Sequence, residues 1–349
     1  MLPLIAQWLG DWFGPLRLFE SHLFLAAFGA GLGAVLTFVL LPRLWHLLPT
    51  DRGRAHAVGS EASVGKPVGA GLIFVPVFAV LALLVLPFQW PWLLLIGCML
   101  FSMVVGFLDD RAEGGYSEYT LGAFDLMVSL AAAAAVCQLQ PFDLWLPVAT
   151  TTWTVPAWLF IAAGSVLIWA CINSTNASDG VDGLSGSLSI LSLLALGALL
   201  YLAVGHQVVA DYLLVPHYPT APDWSLAAFI MAGCLAGYLW YNCHPSDVLM
   251  GDAGSRPVGL LIGVLVLASG NPLLVLVVAG MVLVNGGTGL VKVALLRFLR
   301  IGIFRSVRYP LHDHVRHRLG WSNTQVMVRF LLIQALGLSL LLVLLFKLR

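Results

Sequence analysis

Two adjacent carboxylates, Asp109-Asp110, close an apolar stretch ending Gly106-Phe107-Leu108. A second polar run, Asn173-Ser174-Thr175-Asn176-Ala177-Ser178-Asp179-Gly180-Val181-Asp182, closes another. Asn173, Asn176, Asp179 and Asp182 recur every three residues, so a helix through them would gather all four on one polar face. Gly251-Asp252-Ala253-Gly254-Ser255 sets one carboxylate between glycines that let backbone approach a ligand closely, and Tyr241-Asn242 stands just upstream. His312-Asp313-His314 follows Pro310, and Lys66 stands alone in Gly65-Lys66-Pro67-Val68-Gly69-Ala70-Gly71. Carboxylates with no CxxC pair and no His-x-x-x-His helix favour a hard cation with oxygen ligands, Mg²⁺ or Mn²⁺, which leaves positions open for phosphate oxygens. Histidine, lysine and arginine nearby would balance charge growing on a phosphoryl group in transfer, so the chemistry suggested is phosphoryl transfer.

Each run alone has a plainer explanation. Asp109-Asp110 could be an ordinary polar helix end, the 173–183 run a loop with glycine turns, and Asp252 or Ser255 a helix N-cap. The arginines before His312 suit a loop drawn to anionic lipid, and Lys66 suits a membrane-edge anchor. What outweighs these explanations is that all five runs fall on one side of a membrane.

That side follows from the elements that must carry them. Of 349 residues, 60% are apolar and 10% charged, against roughly 45–50% and 25% in a soluble domain. A span needs about 20 apolar residues, which leaves room for about ten and for no soluble domain. Apolar windows lie near 22–48, 68–87, 90–108, 120–140, 154–174, 184–204, 224–243, 254–269, 272–298 and 325–347. The loops near 49–67, 109–119, 174–183, 244–256 and 299–324 then share a side and hold most of the Lys and Arg, whereas those near 88–90, 141–153, 205–223 and 270–272 hold none. Positive short loops stay in the cytoplasm, which puts the polar runs inside and both termini on the outer, periplasmic side. Fusing the eighth and ninth windows would leave nine spans and push Arg300, Arg305, Arg308, Arg316 and Arg318 outside.

The expectation is therefore an all-α, polytopic membrane protein with 1–349 as a single transmembrane domain, and with Trp8, Trp12 and Phe13 marking an interfacial helix within 1–20. No basic segment precedes an apolar one near the start, so no removable signal is expected. Zero formal net charge gives no sign of a nucleic-acid partner. Cys98, Cys137, Cys171, Cys234 and Cys243 read as small core residues. Gly29, Gly31 and Gly33 sit inside a window with no strand before them, and with Ala131–Ala135 they read as helix-packing positions.

At Lys66-Pro67, Gly106–Asp110, Asn173–Leu184, Tyr241-Asn242, Gly251–Ser255 and the His312/His314 loop followed by Trp321, the chain resembles the polyprenyl-phosphate N-acetylhexosamine-1-phosphate transferases, most closely their lipid I-forming branch. The resemblance implies a bacterial plasma-membrane enzyme that uses Mg²⁺ to move a phospho-sugar from UDP-MurNAc-pentapeptide to undecaprenyl phosphate, releasing UMP. It implies Asp252 as metal ligand, and Asp109 and Asp110 at the lipid phosphate, one as base or covalent nucleophile. Asn173, Asn176, Asp179 and Asp182 would line the nucleotide pocket, with Lys66 nearby, Asn242 close to the metal, and His312 and His314 on the sugar diphosphate. Membrane lipid is a partner throughout, and a homodimer is an allowed assembly.

Three departures mark this chain: Gly69-Ala70-Gly71 interrupts an expected glycine pair, Arg111 and Glu113 follow the aspartates where more basic residues are expected, and Asp313 replaces a histidine. Pro310 leads us to expect an extended segment, with His312 and His314 sharing one face and Asp313 turned away. A sister enzyme loading GlcNAc-1-phosphate is the alternative within the class. A cation-coupled transporter is the alternative outside it, but its carboxylates would sit near mid-membrane in related halves rather than at span ends.

Overall fold

A computed structural model describes residues 1–53, 63–147 and 151–347, so residues 54–62 of the expected 49–67 loop and 148–150 of the 141–153 loop lie outside the described residues. The main helices are α1 (Leu2–Leu9), α2 (His22–Leu44), α3 (Gly71–Val85), α4 (Trp90–Arg111), α5 (Glu118–Cys137), α6 (Ala157–Ser178), α7 (Leu184–Ala198), α8 (Gln207–Leu213), α9 (Ala221–Asn242) and α10 (Asp252–Ala268). A broken segment follows, with α11 (Val275–Val278), α12 (Gly280–Val282), a π-helical turn (Leu283–Gly287) and α13 (Thr288–Leu299), then α14 (Leu311–Leu319) and α15 (Asn323–Lys347). Among the described residues, seven helices are long and apolar enough to cross a membrane, which makes this a multi-pass membrane protein.

One described feature departs from the all-α expectation. Strands β1 (Phe142–Leu144) and β2 (Trp153–Val155) pair antiparallel in the loop before α6, and Trp145 ties that loop to the far end of α10 through Nε1 and the Ser269 carbonyl, 2.9 Å apart.

Helix α10 is the centre of the bundle: every one of its residues is buried, and it packs on α3, α4, α5, α6, α7 and α9. Small residues allow that crowding. A Cβ at Gly259 would stand 2.6 Å from the Cys171 carbonyl oxygen, so only glycine lets α10 and α6 approach this closely. Gly29 and Gly33 lie against Ile230 and Cys234 of α9, whereas nothing within 4 Å faces Gly31. Ala132, Ala133 and Ala135 of α5 are buried, and Ala133 lies against Gly164 of α6. No disulfide joins the cysteines, and four of the five are buried.

The segment after Pro310 is helical, contrary to the extended expectation. Proline forbids a helix through itself but not one starting after it, because helix starts have backbone N–H groups to spare. Asp313 in the first turn and Arg316, His317 and Arg318 in the last suit the helix dipole, and Gly320 ends α14 at φ +66°.

Candidate active site

The site forms where α3, α4 and α10 cross. Gly251 turns the chain into α10 at φ +68°, a conformation open to glycine. Gly106 of α4 faces the backbone of Asp252 so closely that any Cβ would collide with it. The neighbouring turn of α4 then supplies a cap: Asp110 Oδ1 accepts the backbone N–H of Asp252 at 2.9 Å and Oδ2 that of Ala253 at 3.0 Å. A carboxylate on the first turn satisfies N–H groups that have no partner within the helix. Both oxygens of Asp110 are thus turned toward α10. Asp109, one residue earlier, accepts the backbone N–H of Tyr116 and lines a large cavity instead.

Asp252 is held by three donors on one oxygen. Its Oδ2 accepts from Asn176 Nδ2 at 3.1 Å, from Arg256 Nε at 2.8 Å, and pairs with Arg256 Nη2 at 2.7 Å. Arg256 continues to Asp125 of α5, with Nη1 at 2.6 Å from Oδ2, and Asn173 Nδ2 donates to the same oxygen at 3.2 Å. Ser255 Oγ stands 3.0 Å from Asn176 Oδ1 and closes the set.

The four-residue polar face is only half formed. Asn173 and Asn176 share the end of α6, but the helix stops at Ser178, so Asp179 and Asp182 leave its register. Asp182 instead meets the loop before α10: His244 Nδ1 is 2.7 Å away, Ser246 Oγ 2.8 Å, and Lys66 Nζ donates to Ser246 Oγ at 3.1 Å. Burial by itself raises the Asp182 carboxyl, yet the bonds from His244 and Ser246 and the charge of Lys66 outweigh it and hold the group below the usual carboxylate range. Asn242 joins the same two loops, accepting the Gly183 N–H at 3.0 Å and donating to the Val248 carbonyl at 2.8 Å. Its amide thereby ties the turn before α7 to the loop before α10.

His312 and His314 do not share a face. About 100° per residue on α14 turns them roughly 200° apart. His312 is buried against Gly180, with its backbone N–H and Nδ1 at 2.9 and 3.2 Å from Asn285 Oδ1. His314 is half-exposed, and its Nδ1 accepts the Arg308 N–H at 3.2 Å. Asp313, expected to point away, is buried, with Arg316 Nη1 at 3.6 Å and His312 Nε2 at 3.9 Å from Oδ1.

A cavity of about 1810 Å³ opens beside the Asp252 cluster, and Lys66, Asp179, Asp182, Asn242, His312 and His314 are not among its lining residues. Asp109, Asn173, Asn176, Asp252 and Arg256 line it together with apolar wall from α5, α6, the broken segment and α15, such as Leu276, Val291 and Phe298. No cluster of three or more His, Cys, Asp or Glu side chains able to hold a metal occurs among the described residues. The donors present are carboxylate and amide oxygens. That set fits a hard cation held by one or two carboxylates and completed by water and phosphate oxygens.

Residues 92–270 match the family model described as glycosyl transferase family 4. Phospho-N-acetylmuramoyl-pentapeptide-transferase of Treponema pallidum (strain Nichols) is 44% identical over 348 residues, 99% of this chain and 96% of that protein. The chain belongs to glycosyl transferase family 4. Proteins of the same name from Bartonella quintana (strain Toulouse) and Rhodopseudomonas palustris (strain BisA53) are 24% and 26% identical over 93% and 87% of this chain, and 94% and 88% of their own lengths. The family 4 match encloses Asp109, Asp252 and the whole Asp125–Arg256 network, while Lys66, Asn285 and His312 lie outside it. Asp125, Arg256, His244, Ser246 and Asn285 are site neighbours that spacing alone does not single out. Asn285 had one signal, a lone amide before Gly286-Gly287 in an apolar run, and Asp125 another, a charge inside a span.

Proposed function

We propose that this chain is a phospho-N-acetylmuramoyl-pentapeptide-transferase of the bacterial plasma membrane, making lipid I and UMP from undecaprenyl phosphate and UDP-MurNAc-pentapeptide for peptidoglycan. Full-length similarity to proteins of that name supports the reading. One structural observation carries it. A single cavity joins Asp109, Asn176 and Asp252 to a long apolar wall, so phosphate chemistry lies beside room for a lipid chain. We read ten spans: α2 to α7, α9, α10, the broken segment 275–299 and α15, with both termini periplasmic and the site facing the cytoplasm. The lysines and arginines of the loops support that orientation.

In this reading a lipid-phosphate oxygen attacks the β-phosphorus of the nucleotide sugar. The bond from that phosphorus to the oxygen bridging the α-phosphate breaks, and UMP leaves with the bridging oxygen. Asp109, on the cavity wall, takes the proton of the lipid phosphate, while Asp110 positions Asp252 from behind. Asp252 would hold Mg²⁺, which when bound offsets negative charge on the diphosphate oxygens. Lys66, Asn173, Asn176, Asp179 and Asp182 bind the nucleotide side, and Asn242 fixes the loops around it. His312, oriented by Asn285, contacts the sugar diphosphate, and His314 stands behind it on α14. Assaying the purified chain with UDP-MurNAc-pentapeptide and with UDP-GlcNAc tests the donor. UMP release from the first alone is expected; release from UDP-GlcNAc alone would overturn the reading.

A further inference from the structure

Arg256 is a buried guanidinium inside a carboxylate site. It is 4% exposed, grips one oxygen of Asp252 through Nε and Nη2, and reaches Asp125 on another helix. Asn173 steadies the far carboxylate at 3.2 Å, so both ends of the bridge are anchored. Ionisable groups within a bundle are costly unless paired, and this bridge satisfies that need. Its position has a further effect. The arginine charge lies against the carboxylate that would hold a divalent cation, and it takes up one of its two oxygens, Oδ2.

We propose that Arg256 is a built-in counter-charge, anchored by Asp125, that sets the rotamer of Asp252 and limits the affinity of Asp252 for a divalent cation. The proposal rests on the reading of Asp252 as metal-holding. Two opposed effects follow if the bridge is removed: Asp252 loses an orienting partner, and the cation loses a repelling neighbour. Repulsion wins, because a doubly charged ion a few ångströms from a buried guanidinium feels more than the ordering of one short side chain restores. Taking out Asp125 and Arg256 together leaves the net charge unchanged. Because the arginine is the nearer of the two charges to Asp252, its removal outweighs that of Asp125 there.

Mn²⁺ binding to the detergent-purified full chain, read by electron paramagnetic resonance without substrates, tests this. Two neutral replacements of the pair, Asp125→Leu with Arg256→Leu and Asp125→Asn with Arg256→Gln, guard against failure to fold, since a buried ion pair is often replaced without loss of stability. Thermal unfolding confirms that each is folded. The expected result is that Asp252→Asn no longer binds Mn²⁺, leaving the free-ion signal undiminished, and that the folded pair variants bind Mn²⁺ about tenfold or more tightly than the parent. A general loosening of structure would not tighten binding. Folded pair variants with parental or weaker Mn²⁺ affinity, alongside loss of binding in Asp252→Asn, overturn the proposal alone. Unchanged Mn²⁺ binding in Asp252→Asn overturns the metal reading, and the proposal with it.

Discussion

Asp110 holds Asp252 by the backbone: its two carboxylate oxygens accept the N–H groups of Asp252 and Ala253 at 2.9 and 3.0 Å. The adjacent pair Asp109-Asp110 therefore divides its labour, one residue facing the cavity and the other the start of α10.

This division gives opposite mutational signatures. Asp110→Ala strands two N–H groups and should lower stability by about 1–3 kcal/mol for each. Asp109→Ala should leave unfolding nearly unchanged but cut kcat roughly 10²-fold, the scale of a lost acid–base contact. Thermal unfolding and UMP release on both variants check this; equal stability losses would refute it.

Much of this layout was legible in the sequence. The apolar windows predict where α2 to α7, α9, α10 and α15 run, because bilayer-length hydrophobic runs leave few alternatives. Local conformation at the polar ends was less legible. Three-residue spacing suggested one face for Asn173 to Asp182, but the glycines Gly180 and Gly183 and contacts with His244 and Ser246 take the chain out of helix after Ser178. Pro310, which forbids a helix through itself, serves here as the start of one. The Asp125–Arg256 bridge joins residues 131 apart, and no local pattern encodes such a pairing.

Because α14 is helical, the two histidines should differ. His312→Ala should cost about 10²-fold or more in kcat, the size of a lost acid–base or oxyanion contact. His314→Ala should remain within about tenfold, losing at most a neutral hydrogen bond. Comparable losses in both would restore a shared face.

Asn285 accepts from the backbone and stands beside the ring of His312, so it sets the orientation of the side chain. Asn285→Ala should lower kcat by about 10- to 100-fold, as loss of an orienting partner does in other sites. His312→Ala added to Asn285→Ala should cost little more than His312→Ala alone; additive losses would mean the two act separately.

Asp182 is held below the usual carboxylate range, so its bonds stabilise the fold above its unfolded value of about 3.9 and cease to do so as pH falls through the lower folded value. Thermal unfolding of wild type and Asp182→Asn should therefore differ by a constant amount above about pH 5 and converge in more acid solution. A difference that grew on acidification would contradict this.

Glu113, His317 and Tyr212 are exposed and lie in loops assigned to opposite sides. In a background without native cysteines, Glu113→Cys and His317→Cys should resist an impermeant thiol reagent on intact cells, and Tyr212→Cys should react. Reaction at position 317 but not 113 would favour the nine-span arrangement.

Isotope position distinguishes transfer of a phospho-sugar from transfer of a bare sugar. UDP-MurNAc-pentapeptide labelled separately at the α- and β-phosphates is supplied to the purified full chain with undecaprenyl phosphate and Mg²⁺. β-Label is expected in the lipid phase and α-label in UMP, with neither movement once Mg²⁺ is chelated. Both labels leaving together in UDP would contradict transfer of a phospho-sugar.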